Sequence, residues 1–237
     1  MSYRGFIPYL AQLGARITRE RLEAGEEKPF LRVLEIGIMD GLSTIPYAVN
    51  LQLLQVPYVY EAIDIEVKEN VREMHDNIYG LSHSLQLIEE NSLSYLARRY
   101  RERKSPYDRH LDIIMIDGDH NYETVRRECE LLKPAIYEGT VMIFDDYNNR
   151  HALKDDYYSQ REGYKDNDLA TLPSNSEGPS GVRPAVDDFI KEMGYTGVAF
   201  PEDGPMMVSP SPKYTQMLHK LRKAIVANLD DFTGERD

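Results

Sequence analysis

Cysteine is nearly missing from this chain: Cys129 is the only one in 237 residues. An internal disulfide framework and any zinc site built from several thiolates are therefore excluded. Long apolar runs are missing too. None approaches the roughly 18 to 20 residues of a membrane span, so a membrane protein is not expected. The first thirty residues, MSYRGFIPYLAQLGARITRERLEAGEEKPF, lack the basic head, apolar middle and small-residue cleavage site of a secretory signal, and the expected compartment is the cytoplasm. Positive charge is in short supply, with 28 Lys and Arg against 40 Asp and Glu and a net charge of −12. Phosphate polymers and anionic membranes repel such a chain on average, so nucleic acid is not an expected partner. The basic run Arg98, Arg99, Arg101, Arg103, Lys104 follows the apolar-periodic Leu93 and Leu96 and reads as the solvated end of a helix.

What is present is a series of short apolar runs, each closed by a small, acidic or amide residue. Arg32–Ile36, Tyr58–Ile63, Leu85–Ile88, Leu111–Ile116 and Thr140–Phe144 close on Gly37, Asp64, Asn91, Asp117 and Asp145. The closing residues are 27, 27, 26 and 28 positions apart, an interval that one buried parallel strand, one helix and two short loops fill. Tyr122, Val125, Cys129 and Leu132 share one helical face, ended near Pro134. From Asn148 to Arg183 the chain is polar, tyrosine-rich and too long for an ordinary connection, and reads as a lid-like insertion, residues 148–183. Helical character resumes over Pro184–Met193. GYTGVAF, the turn PEDGP and MMVSP then predict a hairpin, and Pro212–Leu229 a terminal helix. The expectation is one α/β domain spanning residues 1–237, a Rossmann-like seven-stranded, mostly parallel sheet with helices on both faces, an antiparallel C-terminal hairpin and a helical cap over residues 1–30. The apolar N-terminal stretch Phe6, Ile7, Tyr9, Leu10 and Leu13 can cover a partner subunit, making a homo-oligomer, or the cofactor.

In an open parallel sheet, ligands bind beyond the carboxyl ends of the strands. Glu35, Gly37 and Gly41 form an E-x-G-x-x-x-G turn there, allowing a tight bend and the close approach of a ligand to free helix-start amides. Met39 stands where a dinucleotide fingerprint needs its second glycine, which disfavours a nicotinamide dehydrogenase. Asp64 can accept from both hydroxyls of a ribose, and Asn91 and Ser92 can read an adenine edge. Together they imply an adenosine-bearing ligand without a diphosphate.

These residues resemble the class I S-adenosylmethionine-dependent methyltransferases over about Arg32 to Pro210, through VLEIGIMDG, IDI, NSLSYL and the terminal hairpin. More narrowly, IMIDGDHNYETVRRECELLKPAIYEGTVMIFDDY followed by GVRPAVDDFIKEMG is similar to the branch of metal-dependent macrocin-type sugar O-methyltransferases and their catechol-type relatives. The resemblance implies S-adenosyl-L-methionine as cofactor, with Gly37 and Gly41 near its methionine part, Asp64 at the ribose and Asn91 with Ser92 at the adenine. Asn91 stands where an aspartate is often found. Glu35, Ser43 and Asp117 complete the implied cofactor-binding set.

Asp117, Asp145 and Asp146 offer hard oxygen ligands that suit Mg²⁺ or Mn²⁺, and the resemblance places a metal on these three positions. Such an ion can lower the pKa of a substrate hydroxyl and orient its oxygen. His120, three residues beyond Asp117, is the candidate general base, since an ordinary imidazole with a pKa of about 6.5 is mostly neutral at pH 7. A rival reading has Asp117 and Asp119 capping a helix and Asp145 and Asp146 shaping a solvated turn. His151 and the tyrosines Tyr147, Tyr157, Tyr158 and Tyr164 stay unassigned. The expected reaction is methyl transfer to a hydroxyl of a small acceptor, a sugar or sugar-bearing natural product. Two alternatives stay open: a metal-independent N- or carboxyl-methyltransferase using His120 alone, and a cofactor-binding interaction protein without catalysis. Base methylation of nucleic acid is disfavoured by the charge, by the lack of a D/N-P-P-Y/F motif and by poor surroundings for a Cys129 nucleophile.

Overall fold

The computed structural model describes residues 3–78, 80–102, 110–148, 179–200 and 204–233. Seven strands form one sheet in the order β3-β2-β1-β4-β5-β7-β6. They are β1 (Leu31–Ile36), β2 (Tyr58–Asp64), β3 (Leu85–Glu89), β4 (Ile113–Ile116), β5 (Val141–Phe144), β6 (Thr196–Ala199) and β7 (Met206–Ser209). β1 to β5 pair in parallel, and β7 lies antiparallel between β5 and β6. β1 to β3 run outward to one edge and β4 and β5 toward the other, so the carboxyl ends of β1 and β4 sit side by side where the strand order reverses.

Period-two alternation explains why the sheet is covered on both faces. Val33, Ile113, Met115, Val141 and Ile143 face one core, completed by Leu10, Ile17 and Leu13 of α1 (Ile7–Glu23), by Tyr47, Ala48 and Leu51 of α2 (Thr44–Leu53), and by Leu218 and Ile225 of α8 (Pro212–Thr233). α3 (Glu69–Asn77) and the short α4 (Leu81–Ser84) contribute Val71 and Leu81 to the same side. Leu34, Ile36, Ile114, Ile116, Met142 and Phe144 face the other core. There α5 (Ser92–Glu102) supplies Leu96, α6 (Tyr122–Leu132) supplies Val125, Cys129 and Leu132, and α7 (Val182–Met193) supplies Val186 and Phe189. No helix among the described residues is long and apolar enough to cross a membrane.

Three expectations need correction or a limit. Phe6, Ile7, Leu10 and Leu13 do not wait for a partner subunit or a cofactor. They are buried in the chain's own core, with Phe6 edge-on to Phe200 at 5.4 Å. The basic run is not wholly solvated either. Arg98 pairs with Glu90 at the surface, but the next residue, Arg99, is turned inward and donates to Glu61 at 2.5 Å, both side chains being buried. Most of the lid-like insertion, including His151, Tyr157, Tyr158 and Tyr164, and the residues Arg103 and Lys104 lie outside the described residues.

Candidate active site

The turn after β1 is shaped by the protein's own packing. Gly37 has φ +94°, and a Cβ there would lie 2.0 Å from the Asp117 carbonyl oxygen and 2.9 Å from the Gly118 amide nitrogen. The close approach that the sequence suggests for a ligand is therefore made first by the backbone leaving β4, which locks the tips of β1 and β4 together. Met39, with φ +50°, and Gly41, with φ +69°, continue a turn with repeated left-handed residues.

Glu35 holds that turn from beneath. It is fully buried, accepts from Ser43 Oγ at 2.7 Å and from Thr44 Oγ1 at 2.6 Å, and accepts a short hydrogen bond from the Tyr60 hydroxyl. Glu35 and Ser43, both members of the expected cofactor set, thus face each other and fix the start of α2. Asp64 reaches across from β2, and its Oδ2 accepts from the amides of Ile38 at 2.7 Å and Met39 at 2.9 Å, while Oδ1 accepts from the Glu66 amide at 3.2 Å. A carboxylate has about four acceptor sites, so these three bonds orient Asp64 and leave capacity for a hydroxyl donor.

At the end of β3, Asn91 caps α5: its Oδ1 accepts from the Ser94 amide at 3.2 Å. Its Nδ2 is buried and has no hydrogen-bond partner among the described residues. A buried amide donor without a partner costs free energy unless a ligand or water meets it, and an acceptor edge such as that of adenine fits it. Ser92 is buried and donates to Glu128 Oε1 of α6 at 2.6 Å. Burial pushes the Glu128 carboxyl up to about 8, with the Asp119 charge adding to it against the opposing Ser92 hydrogen bond and His120. The sequence reading missed Glu128, although one acid interrupting the apolar stripe Val125, Cys129, Leu132 is a legible signal for a buried carboxyl.

The segment after β4 is preorganised. Asn121 caps α6 by accepting from the Thr124 amide at 2.9 Å, and buried Asp119 accepts from Thr124 Oγ1 at 2.7 Å and from Asn121 Nδ2. His120 is thereby presented over the strand tips, its Nε2 3.0 Å from Asp146 Oδ2 and 3.5 Å from Asp117 Oδ1. Asp145 and Asp146 are 2% and 3% exposed, so the solvated-turn reading of that pair fails. Burial pushes the Asp117 carboxyl up to about 7. The nearby charges of Asp145 and Asp146 push the same way, against the opposing contact with His120.

Asp117, His120 and Asp146 each offer one ligand atom, all within 4.8 Å of one another, a spacing able to hold a cation. The donor chemistry, a half-buried Asp117 carboxyl pushed toward its neutral form beside the buried Asp145 and Asp146, fits a divalent ion that would offset the crowded negative charge. The compact trio contains His120 and not Asp145, although the charge of Asp145 reaches Asp117. An imidazole in that position can serve as a ligand or as a base.

Residues 34–147 match a methyltransferase-domain family. No curated protein matches the chain. Among solved structures the fold is similar to the O-methyltransferase TomG from Streptomyces achromogenes, involved in tomaymycin synthesis and determined in complex with SAM. The identity is 14%, over 86% of this chain and 78% of that one, with a TM-score of 0.55. It is also similar to the SAH-bound methyltransferase PaMTH1 of Podospora anserina, at 16% identity over 84% and 77% with a TM-score of 0.50. A Corynebacterium glutamicum protein matches at 12% identity over 84% and 80%, again with a TM-score of 0.50. At these identities the likeness is one of fold.

Proposed function

We propose that this chain is a class I S-adenosylmethionine-dependent methyltransferase that methylates a hydroxyl of a small molecule, a sugar or sugar-bearing natural product, with help from Mg²⁺ or Mn²⁺; the match of residues 34–147 to a methyltransferase-domain family supports the transferase part of that reading. The observation that carries the reading is the cluster of the half-buried Asp117 and the buried Asp145 and Asp146 beside one imidazole, at the strand tips adjoining the glycine turn.

The cofactor, when bound, supplies a methyl group activated by a positively charged sulfur. Asn91 Nδ2 donates to its adenine edge, and Asp64, already oriented by the Ile38 and Met39 amides, accepts from its ribose. Glu35 and Ser43 act one layer down by fixing the turn. A divalent cation on Asp117, Asp145 and Asp146 would supply Lewis acidity toward the acceptor hydroxyl. His120 takes the hydroxyl proton, and the Asp146 carboxylate, 3.0 Å from its Nε2, stabilises the imidazolium once formed.

Transfer of labelled methyl to a panel of sugars and catechols, with and without chelator, tests this. Turnover that chelator abolishes and Mg²⁺ or Mn²⁺ restores is expected. The direct His120–Asp146 contact favours one second reading, in which the imidazole alone is the base and the acceptor is an amine or carboxylate. Turnover insensitive to chelator would select it, and S-adenosylhomocysteine binding without turnover on any acceptor would contradict both.

A further inference from the structure

Asp146 has φ +51°, a left-handed conformation unusual for a residue with a side chain, and it is buried. Aspartate tolerates that region better than most residues, and whatever holds the turn also aims the carboxylate, because a turn relaxed to negative φ would carry it away from His120. The next residue supplies the grip. The Tyr147 hydroxyl donates to Asp187 Oδ1 of α7 at 2.6 Å, and the Arg183 guanidinium lies over the Tyr147 ring, 5.5 Å from its centroid. Arg183 Nε is also 4.0 Å from Asp187 Oδ2.

α7 is a firm anchor for this grip. It buries Val182, Ala185, Val186 and Phe189, and Phe189 meets Phe144 of β5 edge-on at 6.5 Å. Its polar side is tied to α6 by Tyr122 donating to Asp188 at 2.7 Å and by Arg126 pairing with Glu192 at 2.8 Å. The match to the methyltransferase domain stops at Tyr147, so both of the side chains that clasp this tyrosine come from outside it.

We infer that Tyr147, Asp187 and Arg183 form a brace that keeps Asp146 in its left-handed turn and its carboxylate on the proposed metal and proton-transfer site. They are positioning residues. None needs to touch cofactor or substrate, and the inference rests on the metal-assisted reading given above. Groups that orient a metal ligand change affinity for the ion without joining its coordination shell.

The test measures Mn²⁺ binding by titration calorimetry on the full chain, together with S-adenosylhomocysteine affinity, thermal midpoint and a crystal structure of each variant. Tyr147→Phe removes the hydroxyl and no charge, so Mn²⁺ should bind about tenfold more weakly while S-adenosylhomocysteine affinity stays within about twofold. Asp187→Ala should behave alike, whereas Asp187→Asn, whose amide oxygen still accepts the tyrosine hydroxyl, should restore binding to within about threefold. In the Tyr147→Phe crystal, Asp146 should leave the left-handed region. Parental Mn²⁺ affinity in Tyr147→Phe with Asp146 unmoved overturns the brace. If the parent protein binds no Mn²⁺, the metal reading fails by itself, and the crystal structure decides the brace: a displaced Asp146 upholds it and an unmoved one ends it.

Discussion

Asp112 and Asp117 flank β4, one at each end, both buried or nearly so, and their surroundings are opposite in kind. Asp112 accepts from the Arg21 guanidinium of α1 at 3.0 Å and from the Arg32 amide at 2.7 Å, and takes a short hydrogen bond from the Tyr137 hydroxyl. Its charge is answered by a cation and by fixed donors. Asp117 meets one imidazole and the charges of two further aspartates, and its carboxyl is held near neutrality. The first arrangement ties the helical cap to the bottom of the sheet. The second gathers three carboxyl groups around one imidazole, which is the pattern expected of a site that receives a cation.

Variants at the two ends sharpen the contrast. The largest effect belongs to the open end. Asp145→Ala should lower metal-dependent methyl transfer by about a hundredfold or more, with S-adenosylhomocysteine affinity within a few-fold, as read by labelled-methyl assay and calorimetry. At the compensated end, Asp112→Ala should destabilise the fold by about 2 kcal/mol in urea titration, since it takes from Arg21 one of its two carboxylate partners, Glu26 being the other, and removes the acceptor of the Arg32 amide.

Asp117→Asn should act in the reverse sense on the metal-free protein. A carboxyl whose folded pKa lies above its unfolded value keeps its proton while the unfolded chain loses one. Stability therefore falls as pH rises from the ordinary carboxylate range near 3.8 to about 7, and is flat above. The amide removes that slope, so Asp117→Asn should raise the midpoint of the metal-free protein at pH 8, and not at pH 4, while abolishing Mn²⁺ binding. The smallest effect is Glu128→Gln, for which the same sign holds up to about pH 8. A gain of roughly 3 °C at pH 9 that vanishes at pH 4 is expected from differential scanning calorimetry.

Much of this frame is legible in the sequence because strand periodicity and strand-closing residues are local signals. The five parallel runs fall on β1 to β5, and the hairpin segments fall on β6 and β7. β4 is shorter than its apolar run: Leu111 and Asp112 lie before it, where the Leu111 amide donates to Ala135 and the Asp112 carboxylate accepts from α1. Asp117, His120 and Asp146 could be gathered from the sequence because strand tips converge wherever a parallel sheet forms. Arg99 with Glu61, Glu128 with Ser92 and Tyr147 with Asp187 could not. Each pair joins residues 36 to 40 positions apart on different elements, and no periodicity within either segment records the partner. Glycine was legible as a turn at Gly37, but its reason, the Asp117 carbonyl 2.0 Å from the missing Cβ, is a tertiary fact.

Titration of Mn²⁺ into the S-adenosylhomocysteine-bound protein, beside its Asp117→Asn and Asp145→Ala variants, probes the difference between the two ends of β4 most directly. One ion per chain in the parent and none in either variant is the predicted outcome. Equal binding in all three proteins, or none in the parent, would contradict the assignment of these carboxylates to a cation.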